Sequence, residues 1–445
     1  MSPKRLLISR LSFALFFLMG SISAQQLPAP PKLHVTNINP KTGYFNEPAI
    51  AVNPKNPQQV TVAWQVNASA AYSKDGGMTW TVAEGTAPKD YRVSGDVSLA
   101  YDSSGHALLC YIAFDKLGTS QYWAHGATRN GIFVRRSPDG GHTWESHPAT
   151  VIAHDSTPGI PFEDKPSIVA AVSGPHAGDL YVGWTQFTLS TSELLFSRST
   201  DDGGSWSKPI KLSSVSGLPR DDNGALEGFS GVAVPDGTLY TIWDDKDGIM
   251  MAISKDGGVT FTKERRILET GPGYFQLKGV SRSNGFPQLG IDPRNGDLHV
   301  AWSDYSNGDV DVFVSSSSDH GETWSAPVRV NNDPIHNGAD QFFQWMAVDA
   351  ASGAVNLVFY DRRRDNKQTT VTLARSTDGG KTFQNYSLDD ESFEAEGDFL
   401  GDYLAIAAHG NKVFAAWAHQ TQAAAQTERE KRTRTVVRVG VADFN

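Results

Sequence analysis

A short motif, S-x-D-x-G-x-[T/S]-[W/F], recurs six times along the chain and constrains its fold more than any other feature. The copies start 55 to 64 residues apart, at Ser73, Ser137, Ser199, Ser254, Ser317 and Ser376. Ser and Asp side chains can accept turn N–H groups, Gly permits a positive φ, and the aromatic residue returns the chain to an apolar layer. We therefore predict six equivalent hairpin turns in a repeating fold.

A second repeat consists of apolar segments that end in an aromatic residue. Seven such segments occur, at 60–64, 108–111, 180–184, 239–243, 298–302, 355–360 and 413–417. Each follows another apolar run and a polar turn, an alternation that is typical of antiparallel strands. A further apolar segment follows, so we predict units of four antiparallel strands with the aromatic segment as the second strand.

The seventh unit ends at Asn445 without the motif and without a fourth strand. The N-terminal segment 33–37 resembles segment 328–332, which is the predicted fourth strand ahead of the sixth unit. The N-terminal segment could therefore supply the missing strand and close a ring. We predict an all-β, seven-bladed β-propeller closed in this way, with a six-bladed propeller as the alternative.

The motif resembles the Asp-box, or BNR repeat, of the sialidase superfamily, and the chain resembles a bacterial exported sialidase-like protein. The six copies cover most of the chain. In that family the motif is structural and lies on the outer turn between the third and fourth strands of a blade. The resemblance therefore assigns to folding the residues Asp75, Asp139, Asp201, Asp256, Asp319 and Asp378.

The first 24 residues have the pattern of an export signal. A positively charged head precedes a short apolar stretch at 11–20, and small residues suited to cleavage follow it. We predict a signal peptide at 1–24, a single propeller domain at 25–445, and a secreted or periplasmic protein. A lone cysteine, Cys110, cannot form an internal disulfide, so the exported fold must be stable without one.

The charge balance limits the kinds of partner. The chain has 39 Lys plus Arg against 49 Asp plus Glu, a formal net charge of −10. It therefore lacks the basic footprint of a nucleic-acid-binding protein, and no segment after the signal is apolar for long enough to span a membrane. We expect a carbohydrate partner, no nucleic acid and no membrane span, and the sequence specifies no oligomeric state.

The predicted strand order gathers polar residues on one face, opposite the motif turns. Residues before each first strand and after each second strand should converge there on a central funnel. The candidates for substrate binding are Asn46, Asp164, Asp244, Arg282, Asp304, Gln344, Asp361, Arg362 and Asp402. Carboxylates accept hydrogen bonds from sugar hydroxyls, so the funnel suits a glycan, although it could also hold Ca²⁺.

The family resemblance implies a glycoside hydrolase. Its catalytic elements run in the order Arg, Asp, Glu, Arg, Arg, Tyr, and five of them match Asp96, Glu227, Arg282, Arg362 and Tyr403. The resemblance implies Asp96 as general acid/base and Tyr403 as nucleophile, with its pKa lowered by Glu227 or Glu47 acting as base. Asn46 stands where the family has its first Arg, which removes one charged partner for a sialic acid carboxylate.

Two other functions remain open at this point. A non-catalytic propeller would bind a glycan or a protein on the same face. A polysaccharide lyase would need a Tyr or His base beside an Arg, for which Tyr305, His419 and Arg362 could serve. The spacing of the twelve His residues predicts no metal site, and no cofactor is expected.

Overall fold

The computed structural model describes residues 27–39, 42–84, 86, 88–116, 127–155, 161–221, 224–389, 391–395, 399–421 and 435–445. Within these ranges the regular secondary structure is entirely β-strand. They contain no helix long and apolar enough to cross a membrane. The expected signal peptide at 1–24 lies outside the described residues.

The strands form seven antiparallel blades, which confirms the predicted seven-bladed propeller rather than the six-bladed alternative. The N-terminal strand is β1 (Lys32–Asn37). The first blade contains β2 (Ala49–Val52), β3 (Val60–Trp64), β4 (Ser69–Ser73) and β5 (Thr81–Val82). The second contains β6 (Val93–Tyr101), β7 (Ala107–Phe114), β8 (Arg129–Ser137) and β9 (Ala149–Asp155). The third contains β10 (Phe162–Ala170), β11 (Leu180–Phe187), β12 (Ser192–Ser199) and β13 (Ile210–Lys211).

The fourth blade precedes a short hairpin that belongs to no blade. The blade contains β14 (Glu227–Ala233), β15 (Leu239–Asp245), β16 (Gly248–Ser254) and β17 (Arg265–Leu268), and the hairpin β18 (Tyr274–Phe275) and β19 (Ser283–Asn284). The fifth contains β20 (Gln288–Asp292), β21 (Asp297–Asp304), β22 (Asp311–Ser317) and β23 (Val328–Arg329). The sixth contains β24 (Gln341–Val348), β25 (Val355–Asp361), β26 (Gln368–Ser376), β27 (Gln384–Ser387) and β28 (Phe393–Glu394), and the seventh β29 (Ala405–His409), β30 (Lys412–Gln420) and β31 (Thr435–Asp443).

The inner strands form a continuous ring. Strands β2, β6, β10, β14, β20, β24 and β29 contact one another in that order, and β29 contacts β2. Strand β1 pairs antiparallel with β31, with Lys32 opposite Asp443 and Asn37 opposite Arg438. The last sheet therefore has the order β1-β31-β30-β29, and its outermost strand comes from the N-terminal part of the chain.

The aromatic residues that end the predicted second-strand segments lie in the core. All seven are at most 3% exposed, namely Trp64, Tyr111, Trp184, Trp243, Trp302, Tyr360 and Trp417. Burial of large apolar surface is the main favourable term in folding, and an aromatic side chain contributes more of it than any other. The repeated aromatic residue thus anchors every blade to the layer beside it.

The six motif turns lie between the third and fourth strands of blades one to six. In the second blade, Ser137 Oγ donates to Asp139 Oδ1 at 2.9 Å, and Asp139 accepts the Thr143 N–H at 2.8 Å. Trp144 Nε1 donates to Gly141 O at 3.1 Å. The Asp side chain therefore replaces backbone hydrogen bonds that the turn cannot form by itself.

Candidate functional site

A β-bulge near the start of four inner strands, β6, β10, β14 and β24, aims one residue of each out of the regular pleat. Pairing with the second strand shifts register between Gly95 and Ser98, Asp164 and Ser167, Glu227 and Ser230, and Phe342 and Trp345. Positive φ angles occur at the equivalent position in five blades, at Glu47 (51°), Asp96 (46°), Lys165 (48°), Gly228 (70°) and Phe343 (55°). Bulges commonly re-aim side chains beside functional sites.

Lys165 brings together carboxylates from different blades. Its Nζ lies 3.2 Å from Asp402 Oδ2, 3.4 Å from Glu227 Oε1, and 3.6 Å from Oδ2 of both Asp164 and Asp221. The Lys165 side chain is only 8% exposed. Because a buried charge needs a nearby counter-charge, these contacts define one connected ionic group.

Arg282 extends this group toward the seventh blade. Its Nε donates to Asp402 Oδ1 at 2.8 Å, and its Nη1 donates to Asp221 Oδ2 at 2.6 Å. The guanidinium also lies 5.0 Å from the centre of the Phe399 ring. Asn46 Nδ2 donates to Phe399 O at 3.3 Å, while its buried Oδ1 has no hydrogen-bond partner.

Tyr274 and Glu227 form a hydrogen-bonded pair. The Tyr274 hydroxyl donates to Glu227 Oε2 at 2.6 Å. Burial raises the pKa of Glu227 to about 8 and that of Tyr274 well above its ordinary value. Burial and the nearby Glu227 also raise the pKa of Asp244. Gly273 allows the hairpin to approach this closely, because an added Cβ would overlap the Asp244 carboxylate.

Tyr403 lies with a second set of carboxyl groups. Burial, then Glu47, Asp96 and Asp402, raise its pKa well above the ordinary value, which is the opposite direction to the lowering expected from sequence. Burial and the charge of Asp402 raise the pKa of Glu47 to about 8, and burial and Glu47 raise that of Asp96 to about 6. Nearby negative charge disfavours ionisation of a phenol, which explains the direction for Tyr403.

We refer to this set as the funnel cluster. It consists of Glu47, Asp96, Asp164, Lys165, Asp221, Glu227, Asp244, Tyr274, Arg282, Asp402 and Tyr403. Seven of its members are carboxylic acids and two are cations. A cavity of about 230 Å³ reaches Lys165 and Tyr403 and is lined by the inner strands of all seven blades.

Asp304 and Gln344, two predicted binding residues, are hydrogen-bonded to neighbouring parts of the fold. Asp304 Oδ2 accepts from Trp302 Nε1 at 2.8 Å. Gln344 accepts from Ser303 Oγ and donates to Phe286 O, both at 2.7 Å. Both side chains are buried, and these bonds stabilise the fifth blade and its contact with the sixth.

Asp361 and Arg362 are also held by groups outside the funnel cluster. Asp361 Oδ2 accepts from Arg363 Nε at 2.6 Å. Arg362 donates to Lys278 O at 2.8 Å and lies 5.2 Å from the centre of the Phe342 ring. Burial lowers the pKa of Arg362. The structure thus places Arg282 in the cluster and Arg362 in the packing of the sixth blade.

The sequence assigns no catalytic or binding role to three members of the cluster: Lys165, which is on the predicted funnel face, and Asp221 and Tyr274. Lys165 occupies the same bulge position within its inner strand as Asp96 does, so an alignment of the blades is the signal that points to it. Asp221 and Tyr274 lie in segments between blades, where the repeat gives no signal.

Three carboxylates of the cluster have the spacing of a cation site. One oxygen each from Asp164, Asp221 and Glu227 lies within 4.8 Å of the others, the one such group found among the residues that the structure describes. The ammonium of Lys165 already contacts all three. A Ca²⁺ ion bound to the same oxygens would have to displace it.

Comparison with known proteins identifies the fold. The Hadza microbial sialidase Hz136 is 17% identical to this chain, with a TM-score of 0.51, and the match covers 87% of this chain and 73% of that one. A Dyadobacter fermentans protein of unknown function is 14% identical with a TM-score of 0.50, over 94% and 99%. The NanB sialidase of Streptococcus pneumoniae is 14% identical with a TM-score of 0.49, over 93% and 70%. No protein-family model and no curated protein sequence matches this chain. The chain is a β-propeller similar in fold to the microbial sialidase Hz136.

Proposed function

We propose that this chain is an exported glycoside hydrolase that cleaves a neutral extracellular glycan in its central funnel. The observation that carries the proposal is the hydrogen bond from Tyr274 to Glu227. A phenol becomes a nucleophile when an adjacent base accepts its proton, and glycosidases that use a Tyr nucleophile need such a base. The fold likeness to a sialidase supports the same class of reaction.

Asp96 is the proposed general acid. In the first step it gives its proton to the glycosidic oxygen as the bond to the anomeric carbon breaks, while Tyr274 Oη bonds to that carbon and its proton passes to Glu227. In the second step the Asp96 carboxylate takes a proton from water, whose oxygen bonds to the carbon. Tyr274 then leaves and regains its proton from Glu227. The raised pKa of Asp96 suits a group that must be protonated when substrate binds.

Lys165 connects the two halves of this site. Its backbone N–H donates to Asp96 Oδ2 at 3.3 Å, and its Nζ lies 3.4 Å from Glu227 Oε1. The acid and the base therefore contact the same residue from different blades. Tyr403, beside Glu47 and Asp96, is the alternative nucleophile, and in the favoured mechanism it binds a sugar hydroxyl.

The charge of the cluster favours a neutral sugar. Seven carboxylic acids face two cations, and Arg282 is already paired with Asp402 and Asp221. Asn46 stands where the sialidase family has an Arg. A sialic or uronic acid carboxylate would meet like charge without a free cationic partner, which costs binding free energy.

The test is an assay of purified protein against fluorogenic glycosides of several neutral sugars, with a sialoside for comparison. We expect turnover of a neutral glycoside that Asp96→Asn and Tyr274→Phe each lower by about 10²-fold or more, while the circular dichroism spectrum is unchanged. Tyr403→Phe should retain kcat and raise KM. Loss of kcat in Tyr403→Phe alone would transfer the nucleophile to Tyr403, and glycan binding without any turnover would overturn the hydrolase proposal.

A further inference from the structure

Lys165 contacts carboxylates from the third, fourth and seventh blades, and the seventh is not a neighbour of the third. Asp164 belongs to the third blade, Glu227 to the fourth, and Asp402 lies three residues before the first strand of the seventh, which begins at Ala405. Asp221 comes from the segment between the third and fourth blades. One oxygen of each of these four carboxylates lies within 3.6 Å of Lys165 Nζ. Carboxylates this close together would repel one another strongly if no cation lay among them.

The same oxygens form a set that a divalent cation could use. Asp164, Asp221 and Glu227 each place one oxygen within 4.8 Å of the others. Asp164 Oδ1 and Glu227 Oε1 are buried and have no hydrogen-bond partner, and Glu227 Oε1 is held only by its ion pair with the Lys165 ammonium at 3.4 Å. Ca²⁺ prefers carboxylate oxygens and tolerates irregular geometry, so the set fits its chemistry.

We propose that Lys165 is a built-in counter-ion: its ammonium fills a cation site made of Asp164, Asp221, Glu227 and Asp402. The bulge that gives Lys165 its φ of 48° aims its side chain into this position. By contacting Glu227 Oε1, the ammonium also positions the carboxylate that accepts the Tyr274 hydrogen bond. Only this positioning role rests on the proposed hydrolase function, because filling the site does not depend on catalysis.

The proposal is tested by removing the ammonium and adding a cation. Lys165→Met keeps an unbranched side chain without charge, and Ca²⁺ is then titrated into the purified protein by calorimetry. We expect Lys165→Met to bind one Ca²⁺ ion and to gain thermal stability with it. The wild-type protein, the charge-preserving Lys165→Arg and the exposed-site control Lys55→Met should bind none at this site.

A double variant identifies the ligands. Adding Asp164→Asn to Lys165→Met should weaken Ca²⁺ binding at least tenfold. If Lys165→Met does not fold alone, recovery of the native circular dichroism spectrum on adding Ca²⁺ supports the proposal equally. The proposal would be overturned if folded Lys165→Met did not bind Ca²⁺, or if Ca²⁺ did not restore the fold of an unfolded Lys165→Met. Equal Ca²⁺ binding by the wild-type protein would also overturn it. Because no substrate is used, a missing hydrolase activity would leave this result unaffected.

Discussion

Tyr274 and Glu227 are 47 residues apart in the sequence, yet the phenol of one donates to the carboxylate of the other at 2.6 Å. The contact joins the short hairpin β18–β19 to the first strand of the fourth blade. It gives the funnel a phenol and a base in hydrogen-bond contact, which is the arrangement that a Tyr nucleophile needs.

Tyr274→Phe should lower kcat of the hydrolase by about 10²–10³-fold, because the variant lacks the nucleophilic oxygen. The matched control is Tyr305→Phe, which removes another phenol whose hydroxyl donates to Gln276 O at 2.6 Å. Steady-state kinetics of both variants provide the measurement. Equal losses in the two variants would mean that Tyr274 has no special role.

The pH dependence of kcat/KM should report Asp96. A general acid must carry its proton and the base that accepts the phenol proton must be ionised, and the pKa values of Asp96 and Glu227 are raised to about 6 and about 8. Between these values, loss of the Asp96 proton is offset by ionisation of Glu227. We therefore expect kcat/KM to be highest between pH 6 and 8 and to fall above about pH 8. In Asp96→Asn the remaining activity should lose this descending limb. An unchanged descending limb in Asp96→Asn would assign the acid to another group, with Glu47 as the next candidate.

The stability of the fold should fall between pH 4.5 and 8 because of Glu47. Its pKa rises from 4.5 to about 8, chiefly because burial disfavours the charged form. In that interval the folded protein holds a proton that the unfolded chain has released, so the free energy of unfolding decreases as pH rises. Glu47→Gln removes this titration. Its free energy of unfolding should therefore fall less between pH 5 and pH 9 than that of the wild-type protein, by on the order of 2–4 kcal/mol.

Chemical denaturation at several pH values measures this effect. Glu264→Gln is the control, since Glu264 contacts Ser214 outside the funnel and its pKa is lowered. A pH profile of Glu47→Gln that parallels the wild-type profile would show that Glu47 does not bind the extra proton.

Asp139→Ala should weaken the fold without affecting catalysis. It removes the acceptor for Ser137, for the Thr143 N–H and for the Thr143 hydroxyl, at a cost of about 1–2 kcal/mol in an exposed turn. Thermal denaturation should show a lower Tm, while kcat and KM remain at wild-type values. A change in kcat at full folding would give the motif turn a functional role.

Part of the candidate site follows from the sequence. The order of residues along the chain predicts Asp96, Glu227, Arg282 and Tyr403 as site residues, and the structure places all four in the funnel cluster. Arg362 satisfied the same order, but its guanidinium donates to a backbone carbonyl in the packing of the sixth blade. Chain order fixes which blade carries a residue, whereas side-chain direction depends on neighbours that are distant in sequence.

The sequence by itself determined the repeating elements of this protein. The motif turns and the aromatic ends of the second strands depend on contacts within a blade or with the layer beside it, so local patterns suffice to predict them. Only the tertiary structure decided the site. Closure of the ring brings Lys165 to Asp402, and the bulge turns Lys165 toward the axis. Both follow from long-range packing, which no single segment of the chain encodes.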